Sequence, residues 1–332
     1  MKTLICRKPG ELKLEETEFD AVPDGWVPLD TARVGICGTD YHIFAGNQPF
    51  LEYPRVMGHE VSARVSSDYK GSAFTPGELV ILNPYLACGT CHACRMGKPN
   101  CCENIRVFGV HRDGAMAEKF AAPPENLIRA DGLSADQAAM VEFLAIGRHA
   151  VVRAGVTKGA RSLVIGGGPI GLACGLFARL EGGEVTILDR SKAKCETLAE
   201  TFGFNTISPD DAWHLKTQEL SNTFVFDATG SIHAMNNGLR FVAHGGSYVL
   251  VSVVKGDLVF EAPEFHKRET NLLSSRNALA DDFEFVVAAI KSGAIDTDSL
   301  HTHRTTFDTA AEDISAWSDA RDDVIKAILK VA

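Results

Sequence analysis

The chain has 332 residues, 45% hydrophobic and 23% charged, which is enough for one large or two ordinary globular domains. Its formal net charge is -10 and it has no lysine- or arginine-rich run, which argues against nucleic acid or an anionic membrane as a partner. The N-terminal MKTLICRKPGELKLEETEF lacks a signal-peptide core, and no apolar run approaches the ~20 residues of a membrane span. Nine cysteines without an export signal predict a cytoplasmic protein whose thiolates bind metal rather than form disulfides.

The pattern of the chain changes twice. Frequent Gly and Pro in residues 1 to about 130 predict short strands and loops, and residues 136–154 then have apolar positions at helical spacing. The elements predicted after residue 160 are a strand at ARSLVIG, a helix at 169–180, a strand at 184–189, a helix at 191–203, a strand at 222–230, a helix through 241, a strand at 245–253, helices at 281–293 and 309–320, and a last strand at IKAILKV. The alternating part predicts a parallel sheet with right-handed crossovers.

A glycine-rich turn, GGGPIG at 166–171, lies between the first alternating strand and its helix. Gly166 would permit a tight turn, Gly168 would let the backbone approach a pyrophosphate, and Gly171 would let the helix pack on the strand. Together with Pro169 and Ile170 these residues open a helix, whose free N–H groups favour an anion. The sequence therefore predicts a dinucleotide site here.

Asp189 ends the second strand of the alternating region. A carboxylate at this position can accept hydrogen bonds from both ribose hydroxyls of a dinucleotide, and it would repel a 2′-phosphate. NAD is therefore predicted over NADP. Arg190 follows directly and leaves the strictness of this preference open, because an arginine there can help to bind a 2′-phosphate.

Five cysteines and a histidine lie within CGTCHACRMGKPNCC, residues 88–102. The spacing suits a closed zinc site, and the predicted ligands are Cys88, Cys91, Cys94 and Cys102. Four thiolates leave no open position, so this zinc would be structural. An iron–sulfur cluster is the main alternative, although ferredoxin-type runs end differently. Spacing alone leaves open a register in which Cys101 replaces Cys102, and His92 is expected at the surface.

Three further segments have metal-ligand side chains: GICGTDYH at 35–42, MGHE at 57–60 and MVEF at 140–143. Each is weak by itself. Together with the cysteine loop and GGGPIG, and in this order, they resemble the zinc-dependent medium-chain dehydrogenases, the alcohol and polyol dehydrogenase superfamily. The resemblance covers essentially the whole chain.

This resemblance implies an α/β fold in which one domain interrupts the other. A Rossmann NAD-binding domain with a doubly wound parallel sheet, residues 146–275, is inserted in a mainly β, GroES-like catalytic domain. The catalytic domain then consists of residues 1–145 and 276–332. The changes of pattern near residues 145 and 275 agree with this arrangement.

The resemblance also implies a catalytic zinc that keeps positions open for substrate or water. Cys37 and His59 match the first two zinc ligands, and Glu142 matches the glutamate that polyol and threonine dehydrogenases have as a third. Phe143 departs from the family pattern, since a proline is common there. Glu60 resembles an alternative or water-mediated ligand, and whether Glu60 or water completes the site is left open.

Asp40 resembles the acid that orients the histidine ligand. A zinc ion would stabilise an alkoxide, after which the carbinol carbon can give its hydride to the nicotinamide. Thr39 resembles the first proton acceptor, and His42, with the cofactor ribose, would carry the proton to solvent. The resemblance thus implies an NAD-dependent dehydrogenase with two zinc ions per chain, one catalytic and one structural, in a homodimer or homotetramer.

Two segments suggest the substrate class. FAGNQPFLEYPRVMGHE and NLLSSRNALADDF look most similar to the sugar-acid dehydrogenases, such as those that oxidise L-galactonate or L-gulonate at C5. Arg276 matches a substrate-contacting arginine of the polyol enzymes, and its guanidinium could hold a carboxylate bidentately. Asn277, Arg55, Arg148 and His111 are further candidates, each with an ordinary structural role as its alternative.

Several other functions compete with this one. Among enzymes the alternatives are dehydrogenases of a neutral polyol, a polyol phosphate or L-threonine. A zinc-ribbon module for nucleic acid would use the same four-cysteine loop, but the acidic balance and the lack of basic or aromatic clusters argue against it. A redox-inactive NAD sensor is disfavoured because Cys37, His59 and Glu142 are all present.

Overall fold

The computed structural model of the protein describes residues 1–48, 51–214, 221–319 and 324–332. Residues 49 and 50 of the FAGNQPFLEY segment, and residue 320 at the end of the last predicted helix, lie outside this part. The described chain divides into two compact units, one formed by Met1–Phe143 with Leu279–Ala332 and the other by Leu144–Ala278. None of the described helices is long and apolar enough to cross a membrane.

The strands of the described residues are β1 (Lys2–Lys8), β2 (Glu11–Glu16), β3 (Val27–Ile36), β4 (Arg55–Val56), β5 (Glu60–Val65), β6 (Leu79–Leu82), β7 (Tyr85–Leu86), β8 (Arg106–Val107), β9 (Lys119–Ala122), β10 (Leu127–Arg129), β11 (Arg161–Ile165), β12 (Glu184–Leu188), β13 (Asn205–Ile207), β14 (Asn222–Asp227), β15 (Val242–Leu250), β16 (Asn271–Ser274), β17 (His301–Thr306) and β18 (Lys326–Lys330).

The helices of the same residues are α1 (Gly38–Phe44), α2 (His92–Arg95), α3 (Ala135–Ala139), α4 (Val141–Ala154), α5 (Pro169–Leu180), α6 (Lys192–Phe202), α7 (Pro209–His214), α8 (Ile232–Gly238), α9 (Ala262–Arg268), α10 (Ala280–Lys291) and α11 (Ala310–Asp319). Short 3-10 turns occupy Pro99–Cys101, Pro124–Asn126 and Leu239–Phe241.

The first unit is built on a mixed sheet. Its strands follow the order β10-β6-β5-β3-β18-β17, and β9 also pairs with β3. The pairs of β3 with β5 and with β18 are antiparallel, whereas β17 and β18 are parallel. Gly35 pairs with Glu60 and Ile36 pairs with Ala327, so the end of β3 lies between the first residues of β5 and β18. This register brings segments that are distant in sequence to one place.

The second unit is a doubly wound parallel sheet. Its strand order is β13-β12-β11-β14-β15-β16, and every pair in that order is parallel. Numbered within the unit this is 3-2-1-4-5-6, the order of the Rossmann fold. After its exposed first residue, β11 is buried throughout, as its continuous apolar run predicts. The predicted α/β fold class is confirmed.

Local differences from the predicted elements have identifiable causes. The helical pattern at 136–154 is two helices, because α3 ends at Ala139 with Met140 as its C-cap and α4 begins anew at Val141. Helix α1 was not predicted, since its seven residues are too few for a clear periodicity. Strand β16 was also missed because it is short and mostly exposed, so it has no apolar run.

The turn between β11 and α5 provides a stability test. An ideal Cβ on Gly171 would overlap the carbonyl oxygen of Gly166, so Gly171→Ala forces the helix away from the turn. We expect the free energy of unfolding to fall by about 1–3 kcal/mol, the usual range for overpacking. Urea unfolding followed by circular dichroism measures the change.

Gly168→Ala is the matched control in the same turn. Gly168 has an ordinary φ of -69°, and an ideal Cβ there meets no atom of the described chain within 4 Å. The free energy of unfolding of Gly168→Ala should therefore stay near that of the unmodified protein. Equal losses in the two variants would contradict the steric explanation.

Candidate functional site

The cysteine loop joins β7 to β8, which pair with each other in an antiparallel ribbon. Within it one ligand atom from each of four residues lies within 4.8 Å of the others, and these residues are Cys88, Cys91, Cys94 and Cys102. The backbone N–H of Cys88 donates to Cys102 Sγ at 3.2 Å, and the N–H of Asn104 donates to the same sulfur at 3.3 Å. Such N–H···S bonds favour thiolates, so the cluster fits a structural zinc ion.

The neighbours Cys101 and Cys102 have different environments. Cys102 is buried and belongs to the four-sulfur cluster, whereas Cys101 is exposed at the end of a 3-10 turn. His92 is also exposed and lies outside the cluster. The geometry therefore favours the register that uses Cys102.

A second group of ligand atoms forms where β3 ends and β5 begins. The ligand atoms of Cys37, His59 and Glu60 lie within 4.8 Å of one another. Cys37 is the N-cap of α1 and directly follows β3, and Glu60 is the first residue of β5. An ideal Cβ on Gly35 would overlap the Glu60 carboxylate, so a glycine is required opposite it. The strand register therefore creates this group.

Asp40 connects two members of this group. Its Oδ2 accepts a hydrogen bond from the backbone N–H of Cys37 at 2.9 Å, and its Oδ1 lies 3.8 Å from Nδ1 of His59. Burial raises the pKa of Asp40. Burial alone would lower the pKa of His59, but the charge of Asp40, together with Cys37 and the charge of Glu142, raises that pKa well above its ordinary value. The carboxylate is thus placed to orient the imidazole.

Glu142, at the start of α4, is buried beside this group but is not part of it by distance. Its Oε1 accepts a hydrogen bond from the Tyr85 hydroxyl. Its Oε2 has no hydrogen-bond partner among the described residues, and the same holds for Oδ1 of Asp40 and Nδ1 of His59. Burial raises the pKa of Glu142 to about 7, against the opposing charge of His59. Buried polar atoms without partners are typical of a site that binds an ion.

Lys326, the first residue of β18, is a central residue that the sequence analysis did not identify. Its Nζ donates to Oε1 and Oε2 of Glu60 at 2.7 and 2.6 Å and to the carbonyl oxygen of Ile36 at 3.4 Å, and it lies 4.2 Å from the centre of the Phe143 ring. Only 1% of the lysine is exposed. Burial alone would lower its pKa, but the charge and hydrogen bond of Glu60, together with the charges of Cys37 and Glu142, raise it, so the side chain stays cationic. The one signal in the sequence is a lysine within the apolar run IKAIL.

Thr39 and His42 lie on α1, directly after Cys37. Thr39 is half-buried and His42 is exposed. Residues three apart on a helix lie on the same side, so a half-buried hydroxyl and an exposed imidazole share one side of α1.

In the second unit, the glycine turn and Asp189 are joined by a hydrogen bond. The backbone N–H of Gly167 donates to Oδ2 of Asp189 at 2.7 Å, and the N–H of Ser191 donates to Oδ1 at 2.9 Å. Gly166 has a φ of 97°, and Gly168 caps α5 with Pro169 as its first residue. Ile170 and Gly171 follow in the first turn of α5, and Arg190 is exposed beside Asp189.

The open space at Gly168 also bears on the function of the turn. An ideal Cβ on Gly168 would meet no atom of the described chain within 4 Å, so the turn leaves space in which a pyrophosphate can approach the backbone. Oxygens of Asp189 keep lone pairs for further donors. The turn, the helix N-terminus and the carboxylate therefore fit a dinucleotide.

The predicted substrate residues have varied surroundings. Arg55 pairs with Asp113 at 2.9 Å, and Arg148 pairs with Glu181 at 2.6 Å. Nδ1 of His111 accepts the backbone N–H of Val107 at 3.1 Å. Such contacts agree with the ordinary structural roles named as alternatives, and substrate binding by these residues stays a prediction. Arg276 is exposed after β16, and Asn277 next to it has a positive φ of 55°.

Comparison with known proteins agrees with this geometry. Residues 23–132 match the alcohol dehydrogenase GroES-like domain, and residues 169–292 match the zinc-binding dehydrogenases. The chain is 42% identical over 319 residues to L-galactonate-5-dehydrogenase of Escherichia coli (strain K12), covering 94% of each chain. It is 30% identical over 283 residues to 2-dehydro-3-deoxy-L-galactonate 5-dehydrogenase of Pseudoalteromonas atlantica, covering 82% of each.

Among solved structures, an alcohol dehydrogenase of Escherichia coli CFT073 in complex with the cofactor NADH has a TM-score of 0.92 at 26% identity and covers 99% of each chain. The fold, the cysteine cluster and the two matching domains thus lead to one family. The protein is an oxidoreductase and belongs to the zinc-binding medium-chain alcohol dehydrogenases.

Proposed function

We propose that the protein oxidises a secondary alcohol of a sugar acid at C5 and transfers the hydride to NAD. The observation that carries this proposal is the 42% identity with L-galactonate-5-dehydrogenase over 94% of both chains. The second relative is also a 5-dehydrogenase of a galactonate derivative. L-galactonate and L-gulonate are therefore the first substrates to test.

We assign the catalytic zinc to Cys37, His59 and Glu142. By distance alone Glu60 would replace Glu142, but both oxygens of Glu60 accept from Lys326, whereas Oε2 of Glu142 has no partner among the described residues. This difference favours Glu142, because a carboxylate that neutralises a buried lysine is a poorer metal ligand. Glu60 stays the alternative or water-mediated ligand.

Bound zinc would supply Lewis-acid chemistry by lowering the pKa of the substrate hydroxyl. The chain's own residues then orient the ligands and move the proton. Asp40 orients His59, and the hydroxyl of Thr39 accepts the substrate proton while it releases its own proton toward His42. The imidazole of His42, exposed on the same side of α1, passes it to solvent.

The glycine turn and Asp189 support NAD as the cofactor. In this proposal the free N–H groups at the start of α5 bind the pyrophosphate, and Asp189 accepts the ribose hydroxyls. Its negative charge disfavours the 2′-phosphate of NADP. Arg190 lies beside it, so assays with both cofactors decide how strict the preference is.

We propose Arg276 as the residue that binds the substrate carboxylate, with Asn277, Arg55 and His111 as secondary candidates. Arg55 already forms an ion pair with Asp113, which makes it the weaker arginine. A bidentate guanidinium–carboxylate contact would distinguish a sugar acid from a neutral polyol. Neutral polyols, polyol phosphates and L-threonine are the alternative substrates.

We also propose a cytoplasmic location. None of the nine cysteines forms a disulfide, and several of their sulfurs lie close to one another. Such thiols persist in a reducing compartment. Fractionation of the native cells should recover the protein with cytoplasmic enzymes, and recovery in an oxidising compartment would contradict this location.

Substrate screening tests the main proposal. L-galactonate, L-gulonate, neutral alditols, a polyol phosphate and L-threonine are each offered with NAD and with NADP, and reduced cofactor is followed by absorbance. We expect the highest kcat/KM for one of the two aldonates with NAD. A highest value for an alditol, a phosphate or threonine would exclude the sugar-acid assignment.

The same assay with Arg276→Ala tests the carboxylate contact. Loss of a charged hydrogen-bonded pair, about 1.5–3 kcal/mol, should raise KM for the aldonate about 10- to 100-fold and change KM for an alditol little. Arg64→Ala is the control, since Arg64 is exposed and donates to the carbonyl oxygen of Gly77. Equal increases in KM for the aldonate and the alditol would exclude a role for Arg276 in binding the substrate carboxylate.

Metal analysis tests the two zinc sites. We expect two zinc ions per unmodified chain, and one after Cys37→Ala, with turnover lost and NADH binding retained because the glycine turn is untouched. Cys102→Ser should lose the structural ion, whereas Cys101→Ser should keep both ions. A single zinc in the unmodified chain, or two in Cys37→Ala, would contradict the catalytic site.

We further propose a homodimer or homotetramer that uses the β16 edge of the second unit. Strand β16 ends the described sheet, and Leu272 on it, with nearby Val259 and Phe260, is substantially exposed. An exposed apolar strand edge favours pairing with another chain. Light scattering should therefore give two or four times the 35.8 kDa of one chain.

Val259→Asp should shift this mass toward a single chain. Val152→Asp, at a similarly exposed apolar position on α4 of the same unit, should not. The same reduction in both variants, or a monomeric unmodified protein, would exclude this face as the interface.

A further inference from the structure

Glu142 has two oxygens in different environments. Oε1 accepts the Tyr85 hydroxyl, while Oε2 has no partner among the described residues. Glu142 and Tyr85 are separated by 57 positions in sequence, and both are buried. The hydrogen bond therefore fixes which oxygen is free, and it restricts rotation of the carboxylate about its last torsion, which is otherwise soft.

Tyr85 is held from several directions. Its backbone N–H donates to Oδ1 of Asn83 at 3.2 Å, and its carbonyl oxygen accepts from Nδ2 of the buried Asn126 at 3.1 Å. Its ring packs edge-on against Phe283, with the ring centres 6.4 Å apart. A hydroxyl on such a constrained side chain is a fixed donor and loses little conformational entropy when it binds a carboxylate.

The same residue closes the cysteine loop. Tyr85 pairs with Val107 and Leu86 pairs with Arg106, so the two-residue strands β7 and β8 form the base from which the loop leaves and to which it returns. The backbone N–H of Phe108 adds a bond to the carbonyl oxygen of Pro84 at 3.1 Å. The loop and the Tyr85 hydroxyl are therefore parts of one ribbon.

We propose that Tyr85 is a positioning residue, which orients Glu142 so that Oε2 is presented to the catalytic metal and which makes the cysteine loop support that site. The proposal rests on the proposed assignment of Glu142 as a zinc ligand. Partners that orient metal ligands typically change metal affinity about 10- to 100-fold when they are removed. The cysteine loop then has a role in catalysis without contributing a ligand to it.

Tyr85→Phe tests the first part, since it removes the hydroxyl and keeps the ring on Phe283. Zinc content and the rate of zinc loss to a chelator are measured on the full chain. We expect the catalytic zinc to be lost about 10- to 100-fold faster, with the structural zinc retained. In the cobalt-substituted protein, the visible spectrum of the catalytic site should shift.

Tyr248→Phe is a matched control in the other unit. The buried Tyr248 hydroxyl also lies within hydrogen-bond distance of a buried carboxylate, Oδ2 of Asp227 at 3.2 Å, and of the Met235 carbonyl oxygen at 2.9 Å, so the variant also loses a buried tyrosine hydroxyl beside a carboxylate. Its zinc loss and cobalt spectrum should match those of the unmodified protein. An equal effect in both variants would mean that general destabilisation causes the change, and the proposal would be overturned.

Cys94→Ser, alone and combined with Tyr85→Phe, tests the second part. If the loop acts through Tyr85, Cys94→Ser should also speed loss of the catalytic zinc, and the double variant should lose it no faster than the faster single variant. If the two substitutions instead multiply each other's effect on the rate of zinc loss, the coupling through Tyr85 would be overturned.

Glu142→Gln distinguishes this inference from the proposed function. If it speeds loss of the second zinc and Tyr85→Phe does not, the ligand assignment holds and the positioning role of Tyr85 is wrong. If the unmodified chain binds one zinc, or Glu142→Gln leaves zinc loss unchanged, the ligand assignment itself fails.

Discussion

The buried ion pair between Lys326 and Glu60 is the interaction on which the catalytic part of the molecule depends. Both side chains are essentially inaccessible, and breaking such a pair by removing one partner typically costs about 3–5 kcal/mol. The Lys326 ammonium also contacts the Ile36 carbonyl oxygen and the Phe143 ring. Each of these three contacts is next in sequence to a proposed zinc ligand. Ile36 precedes Cys37. Glu60 follows His59, and Phe143 follows Glu142. The first residue of the last strand thus holds together three distant segments.

Phe143 gains a physical role from this arrangement. It is the position at which the chain departs from the proline common in its family, and its ring lies under the Lys326 ammonium at a distance typical of cation–π contacts. A proline could not provide this contact. Phe143 stabilises Lys326, and Lys326 neutralises Glu60. A phenylalanine in place of the proline is therefore compatible with Glu142 as a zinc ligand.

In the proposed assignment, one cysteine-containing site is structural and the other is catalytic. The dense cluster at residues 88–102 has four sulfurs and no place for substrate, whereas the sparse group around Cys37 and His59 has buried polar atoms without partners in the described chain. The Tyr85 hydroxyl, at the base of the cysteine loop, binds Glu142 at the sparse group. The base of the loop is therefore close to the proposed catalytic site, although none of its cysteines is a proposed ligand of that site.

The amino-acid sequence by itself determined the features that depend on neighbouring residues. The spacing of the cysteines, the turn GGGPIG and the alternating strands and helices of the second unit are local patterns, and each predicted its element. Helix α1 and strand β16 were missed because short elements have too few residues for a periodic signal. Only the tertiary structure placed Cys102 rather than Cys101 beside the other sulfurs and paired Lys326 with Glu60 across 266 positions. Contacts of this kind depend on strand register and burial, which no local pattern encodes.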